Sequence, residues 1–354
     1  MNSRERVIAA AHRIRPDRPA TSLRCTPEAW SALQKYLGVD TNNEVMDKLD
    51  IDIRWLPLPF IGPENRSAVP LGSEGTDFWG CHTRKVTNDF NTYLEFDYHP
   101  LANAASVGDV AAHDWPSLDW WDYSAIPGLV AEINAKQPRA VTYFAGGAFE
   151  TPWYIRGMEA FLADLHEHPE IVDAICSRVE RYYRERAQRV IASADGRIDV
   201  IYTGGDIGTQ RGMMLSPSLW RERIKPYTGR LISTFKKMGF VTLYHSCGSI
   251  VPVIDDLIEV GLDILDPIQV TAAGMSPEEL FPAFGDRLSF HGAIDEVGLL
   301  THATPAEVYA ETTRIIGILG RNGGYIVSPS HMVQGDTPPE NVAAIYDAAR
   351  NYQW

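Results

Sequence analysis

Cysteine is scarce and scattered. Four residues, Cys25, Cys81, Cys176 and Cys247, are spread over 354 positions with no CxxC pair. That spacing excludes a disulfide framework and points to a reducing compartment. Basic residues are also short: 32 Lys and Arg face 46 Asp and Glu, a formal net charge of −14. A general phosphate-backbone binder needs a basic face, so no nucleic-acid partner is expected. No stretch of 18 or more apolar residues occurs, which excludes a transmembrane helix and gives no reason to expect a membrane partner. The first residues, MNSRERVIAAAHRIRPDRP, carry charge every few positions and lack the apolar core of a secretory signal, so a cytoplasmic location is expected. No GxGxxG follows a strand-like segment, no phosphate-binding P-loop is present, and there is neither an internal repeat nor a low-complexity segment.

What is present is an ordinary globular composition, 45% hydrophobic and 22% charged. From residue 140 onward, short apolar runs alternate with helical stripes. The strand-like runs are 140–145, 199–203, 241–245, 263–265, 288–291 and 325–328. Between and after them, helices are expected at about 152–165, 169–193, 216–238, 250–260, 277–283, 305–319 and 339–352. Pro217, Pro277, Pro305 and Pro339 each suit a first helical position. Such alternation makes βαβ units and a parallel sheet. ATSLRC at 20–25 adds a seventh strand, followed by a helix with Thr26 as its cap. Ser3 is read as the cap of the opening helix. The Pro-, Gly- and Trp-rich stretch at about 50–125 reads as an insertion or elaborated hairpin region that hides one more strand. The expectation is a single α/β domain over residues 1–354, a (β/α)8 TIM barrel, rather than a doubly wound open sheet.

In such a barrel, reactive groups lie at the C-terminal ends of the strands. Those positions hold Arg24 and Cys25, Asp206 and Gln210, His245 and Cys247, Asp266 and Gln269, His291 and Asp295, and His331 and Gln334. His245-Ser246-Cys247 is the sharpest local signal. Residues i and i+2 at a strand end face the same side, so an imidazole and a thiolate can share one metal, and this donor pair suits zinc. Gly248 lets the chain turn close by. Asp206, after two glycines, is the candidate catalytic carboxylate, with Gln210 beside it. Asp266 and Gln269 are read as substrate contacts or as hydrogen-bond partners of a ligating imidazole. Arg24, His291 and Gln334 are further substrate-binding candidates. Cys25, Cys81 and Cys176 read as core. Trp115, Trp120, Trp121 and Tyr123 form either a lid or packing of the elaborated region. Arg178, Arg181, Arg184, Arg186 and Arg189 read as a solvated helix face paired with Glu180 and Glu185.

The segments GGDIGTQRGMMLSPSLWRERIKPYTGRLISTFKKMG, LYHSCGSIVPVIDDLIEVGLDILDPIQ, FGDRLSFHGAID and GGYIVSPSHMVQGDTPPENVAAIY resemble the uroporphyrinogen decarboxylase superfamily. Within it, His-x-Cys resembles the zinc-binding branch, which contains methylcobamide:coenzyme M methyltransferases and related corrinoid-dependent enzymes. The resemblance implies a (β/α)8 barrel. It also implies zinc on His245 and Cys247, and a corrinoid (cobalamin) carried by a separate protein partner. A small-molecule methyl donor or acceptor is implied as well. At the third ligand the chain departs from the pattern. An ILAPGC-type segment becomes IVSPSH, so His331 stands where that branch has a second Cys. One thiolate fewer raises the charge of the metal–ligand unit from 0 to +1, a stronger Lewis acid that would favour an oxygen substrate over a thiol. The expected function is a zinc-dependent methyltransferase or O-demethylase component. The alternatives are a metal-free decarboxylase or lyase centred on Asp206, and a non-enzymatic tetrapyrrole or corrinoid binder. Against true porphyrinogen decarboxylation, TSLRC offers Arg24 as its single cation where several would be needed.

Overall fold

The computed structural model describes residues 1–68, 74–87 and 92–354; positions 69–73 and 88–91 of the elaborated region lie outside it. The strands are β1 (Ala20–Thr21), β2 (Ile53–Trp55), β3 (Gly75–Thr76), β4 (His82–Thr87), β5 (Thr92–Tyr98), β6 (Ala140–Gly147), β7 (Val200–Gly204), β8 (Val241–His245), β9 (Ile264–Ile268), β10 (Ser289–Ile294) and β11 (Tyr325–Pro329). Eight of them form one parallel sheet in the order β1-β11-β10-β9-β8-β7-β6-β2. With helices around it, this is the expected (β/α)8 barrel, and β2 is the strand hidden in the elaborated region. The remaining three strands make an antiparallel sheet, β3-β4-β5, outside the barrel wall.

The barrel closes between its two shortest strands through one backbone hydrogen bond and a set of side-chain contacts. Asp52 donates its amide to the Thr21 carbonyl, 3.1 Å, and its carboxylate accepts from the Thr21 amide, 3.0 Å. Arg6 and Arg18 reach the same fully buried carboxylate at 2.6 and 2.9 Å. A buried carboxylate is tolerable only when paired in this way.

Inside the barrel, Ala20, Ile53, Ala140, Val200, Leu243 and Ile326 pack against Val7, Ala10 and Ala11 of the opening helix. That helix, Ser3–Ala11, plugs the end where the strands begin: Ser289 at the start of β10 donates to the Ala10 carbonyl, 2.9 Å. Its cap is Asn2, in a capping box with Glu5, so Ser3 lies one position inside the helix. With the bottom plugged, access to the interior is left to the C-terminal mouth.

Most helix ends follow their caps. Thr26 caps Pro27–Leu37, and Thr304 caps Pro305–Leu319. Two expected helices are instead broken. Gly157, at φ +85°, splits the first into Glu150–Arg156 and Met158–Glu167. The stretch 216–238 divides into Pro217–Arg223 and Lys225–Lys237, with Pro226 just after the break. Pro226 has no amide hydrogen for the helical ladder, and its ring disfavours a helical residue before it.

The solvated arginine face on helix Pro169–Ala194 needs one correction. Arg184 pairs with Glu180 as expected, at 2.7 Å. Arg186 is instead buried, 6% exposed, beneath Phe78 and Trp121 of the elaborated region. Trp121 is packing rather than lid: it is buried, and its indole donates to the Tyr182 hydroxyl, 2.7 Å.

Candidate metal centre

His245 is the last residue of β8, and the turn after it carries Cys247. His331 follows β11 on the far side of the mouth. The barrel brings these three together: one donor atom from each lies within 4.8 Å of the others. His245 Nε2 and Cys247 Sγ are 3.4 Å apart. Two ligands at zinc bond lengths in a tetrahedron stand roughly 3.5 Å apart, so this pair already has the spacing a zinc ion requires. Two imidazoles and one thiolate are also a zinc-type donor set.

Asp266 on β9 sets the orientation of this cluster. It is 1% exposed, and its carboxylate accepts from His245 Nδ1 at 2.7 Å, His291 Nδ1 at 2.5 Å and the Tyr202 hydroxyl at 2.9 Å. Arg24 lies at 3.4 Å. Burial would raise this carboxyl; the neighbouring His291 and Arg24, with the hydrogen bonds from both histidines, reverse that and hold it well below the usual carboxylate range. An ionised carboxylate only accepts, so His245 must present Nδ1–H to it and turn Nε2 toward Cys247. Burial disfavours the His245 cation, but the Asp266 and Cys247 hydrogen bonds outweigh it and push the group up to about 10. His331 goes the other way, down to about 4, through burial and the nearby charges of His245 and Arg24. Burial likewise pushes the Cys247 thiol up, against the pull of His245.

The turn that carries Cys247 is tied to its neighbours by backbone groups. The Cys247 amide donates to Asp206 Oδ1, 2.7 Å, and the Gly248 amide to Gln269 Oε1, 2.7 Å. Ser246 Oγ accepts from the Ile207 amide, 3.1 Å. Gly248 is at φ +80°, and a Cβ there would lie 2.5 Å from the Gly208 carbonyl carbon. A Cβ on Gly208 would meet the Cys247 carbonyl oxygen at 2.6 Å. Only glycine at both positions lets the two loops lie backbone to backbone.

A pocket of about 250 Å³ opens beside the cluster, where Arg24, Glu150 and Gly204 join His245 and His331. Trp55, Phe144, Tyr202 and Met332 supply its apolar wall. Arg24 donates to the Tyr202 hydroxyl, 2.9 Å, and stacks over Trp55 and Tyr202. Glu150 begins the helix after β6 and accepts from the Tyr154 hydroxyl, 3.1 Å. Burial first, then the charge of Asp206, pushes its carboxyl up to about 7.

The expected site residues therefore fall into three groups. His245, His331 and Arg24 line the pocket, with Cys247 beside His245. Asp206, Asp266 and Gln269 stand behind it and hold its backbone and rings: of its two readings, Asp266 takes that of partner to a ligating imidazole, and Gln269 holds the Gly248 amide rather than a substrate. Asp206 also lies 3.4 Å from His245 Nε2. His291 is buried under Asp266, 2% exposed, away from the pocket surface. Gln210 is exposed and accepts from Thr271, and Gln334 donates to the Met332 carbonyl. Glu150 was missed. It sits five residues beyond the apolar run 140–145, at a strand end, and that position was its one sequence signal. Tyr202 and Phe144 were missed because each reads as one more apolar strand residue.

Eight parallel strands with a polar cluster at their C-terminal mouth define a (β/α)8 barrel carrying three residues whose donor atoms could hold a metal ion. Residues 118–352 match the family described as uroporphyrinogen decarboxylase (URO-D), and the chain belongs to that family. A uroporphyrinogen decarboxylase from Anaeromyxobacter sp. (strain Fw109-5) is 27% identical over 130 residues, 36% of this chain and 35% of that protein. The match thus spans about a third of that relative. A methyltransferase from Methanosarcina mazei shares the fold over 99% of this chain and 98% of its own, with a TM-score of 0.73 at 16% identity. Among the described residues no helix is long and apolar enough to cross a membrane.

Proposed function

We propose that this chain is a zinc-dependent methyltransferase, or the methyl-transferring component of an O-demethylase, working with a corrinoid protein docked over the barrel mouth. The convergence of His245, Cys247 and His331 on one point carries the reading. The shared fold with a methyltransferase supports it. Bound on these three residues, zinc would supply Lewis acidity to a substrate heteroatom, and the partner's corrinoid would carry the methyl group.

The chain's own residues divide the remaining work. Asp266 keeps His245 in one tautomer and one orientation. Asp206 fixes the amide of Cys247. Trp55, Phe144 and Tyr202 exclude water from the pocket, and Arg24 offers a cation that can orient an anionic part of the substrate. Glu150, at about 7, can hold or release a proton at its carboxyl near neutrality, beside the place where a substrate oxygen would gain or lose charge. The His2Cys set favours a methoxy or hydroxyl substrate over a thiol. Porphyrinogen decarboxylation fits less well: the pocket holds about 250 Å³, and among the described residues Arg24 is the only arginine or lysine lining it.

The test is metal content together with methyl transfer. Close to one zinc per chain is expected in protein purified without added metal, with loss of zinc and of turnover in His331→Ala. A comparison of thiol and methoxy substrates should show transfer with the methoxy compounds. No zinc after reconstitution, or turnover retained in metal-free protein, would refute the proposal and leave metal-free lyase chemistry around Asp206.

A further inference from the structure

A second cavity, of about 180 Å³, lies outside the barrel wall between helix Pro169–Ala194 and the elaborated region. Leu56, Leu58 and Ala68 give it an apolar lining, and Arg186 lines it as well. The Arg186 guanidinium is stacked among rings, with Trp121 at 4.8 Å, Tyr183 at 5.0 Å, Phe78 at 5.8 Å and Tyr182 at 5.9 Å. Aromatic faces stabilise the charge across the plane of the guanidinium. They do nothing for its five N–H donors, which point outward within that plane. Arg186 Nε is buried and unpaired. Among the described residues no carboxylate pairs with Arg186. The Tyr143 hydroxyl, which also lines the cavity, stands beside the guanidinium but not in hydrogen-bonding geometry, and it too is buried and unpaired.

We propose that this cavity is a second binding site, distinct from the metal centre, for a small carboxylate carried on an apolar body. A carboxylate is the flat, forked acceptor that matches in-plane guanidinium donors, and it would also accept the orphaned Tyr143 hydroxyl. The apolar lining takes the rest of the molecule. Phe144 lines both this cavity and the pocket at His245 and His331, and so forms the partition between them. The site requires neither zinc nor methyl transfer.

Benzoate is the probe, titrated calorimetrically into the purified full-length protein, with benzyl alcohol as its uncharged counterpart. Saturable benzoate binding is expected, with none for benzyl alcohol. Arg186→Met should weaken it at least tenfold. Ala68→Trp, which keeps the guanidinium but fills the cavity, should do the same and decides the matter if Arg186→Met is poorly folded by circular dichroism. His331→Ala should bind benzoate as the wild type does. No saturable binding to the wild type, undiminished binding to folded Arg186→Met or Ala68→Trp, or loss of binding in folded His331→Ala would each overturn the separate site.

Discussion

Arg24 and Arg186 are both largely buried and both stacked on aromatic rings, yet only Arg24 meets an anion. At the barrel mouth, Arg24 lies 3.4 Å from Asp266, the carboxylate that also anchors two histidines. Outside the wall, Arg186 is surrounded by aromatic rings and, among the described residues, meets no carboxylate. A charge with its counter-ion in place belongs to a finished structural network. One with orphaned donors beside a cavity is in the condition a ligand completes.

The sharpest way to break this contrast is to give Arg24 the condition of Arg186. Asp266→Ala should destabilise the protein by about 3–5 kcal/mol, because it strands buried cations that shared one anion. Denaturant unfolding measures it, and a loss under 1 kcal/mol would show that the network is not what fixes the histidines. Arg24→Met should cost about 1.5–3 kcal/mol, the range for hydrogen bonds to charged groups, in the same measurement.

Glu150 is a third buried charge and lies between the two cases. Its carboxyl is raised from 4.5 to about 7, so the folded state favours its protonated form. Stability relative to a neutral side chain is therefore unaffected below the unfolded value and is lost as pH rises through about 7. In metal-free protein, Glu150→Gln should leave the melting temperature unchanged at pH 4 and raise it by a few degrees at pH 8; a pH-independent shift would contradict this. Arg186→Met should change stability least, by about 1 kcal/mol or less, since lost cation–π attraction is offset by relief of an unpaired buried charge. A loss near that of Arg24→Met would mean the rings alone satisfy Arg186.

The barrel was legible because its strands repeat as short apolar runs and its helices begin at Ser/Thr-Pro caps. Val241–His245 and Pro305–Leu319 fall where the residues place them. That His245, Cys247 and His331 meet was legible in part for the same reason, since strand ends converge by geometry, but His331 was singled out as a third ligand by the family resemblance. Arg186 was misread because an i, i+3, i+4 charge stripe looks the same whether water or another segment lies over it. What covers it, Phe78 and Trp121, comes from 65 or more positions earlier in the chain. Asp266 and His291 were legible only as pairs of alternatives: both sit at strand ends, and only the inward or sideways turn of each side chain separates a buried anchor from a pocket wall.

The interlocked glycines, Gly208 and Gly248, bear on how metal and folding are related. In a zinc finger the ion organises the chain, and stripping it unfolds the domain. Here the loop bearing Cys247 is stapled to the loop bearing Asp206 by backbone contact too close for any side chain. The ligand set is thus a product of the fold, and binding free energy need not be spent on ordering it. For zinc bound as proposed, uptake would be a docking event, and a chelator would leave the barrel standing.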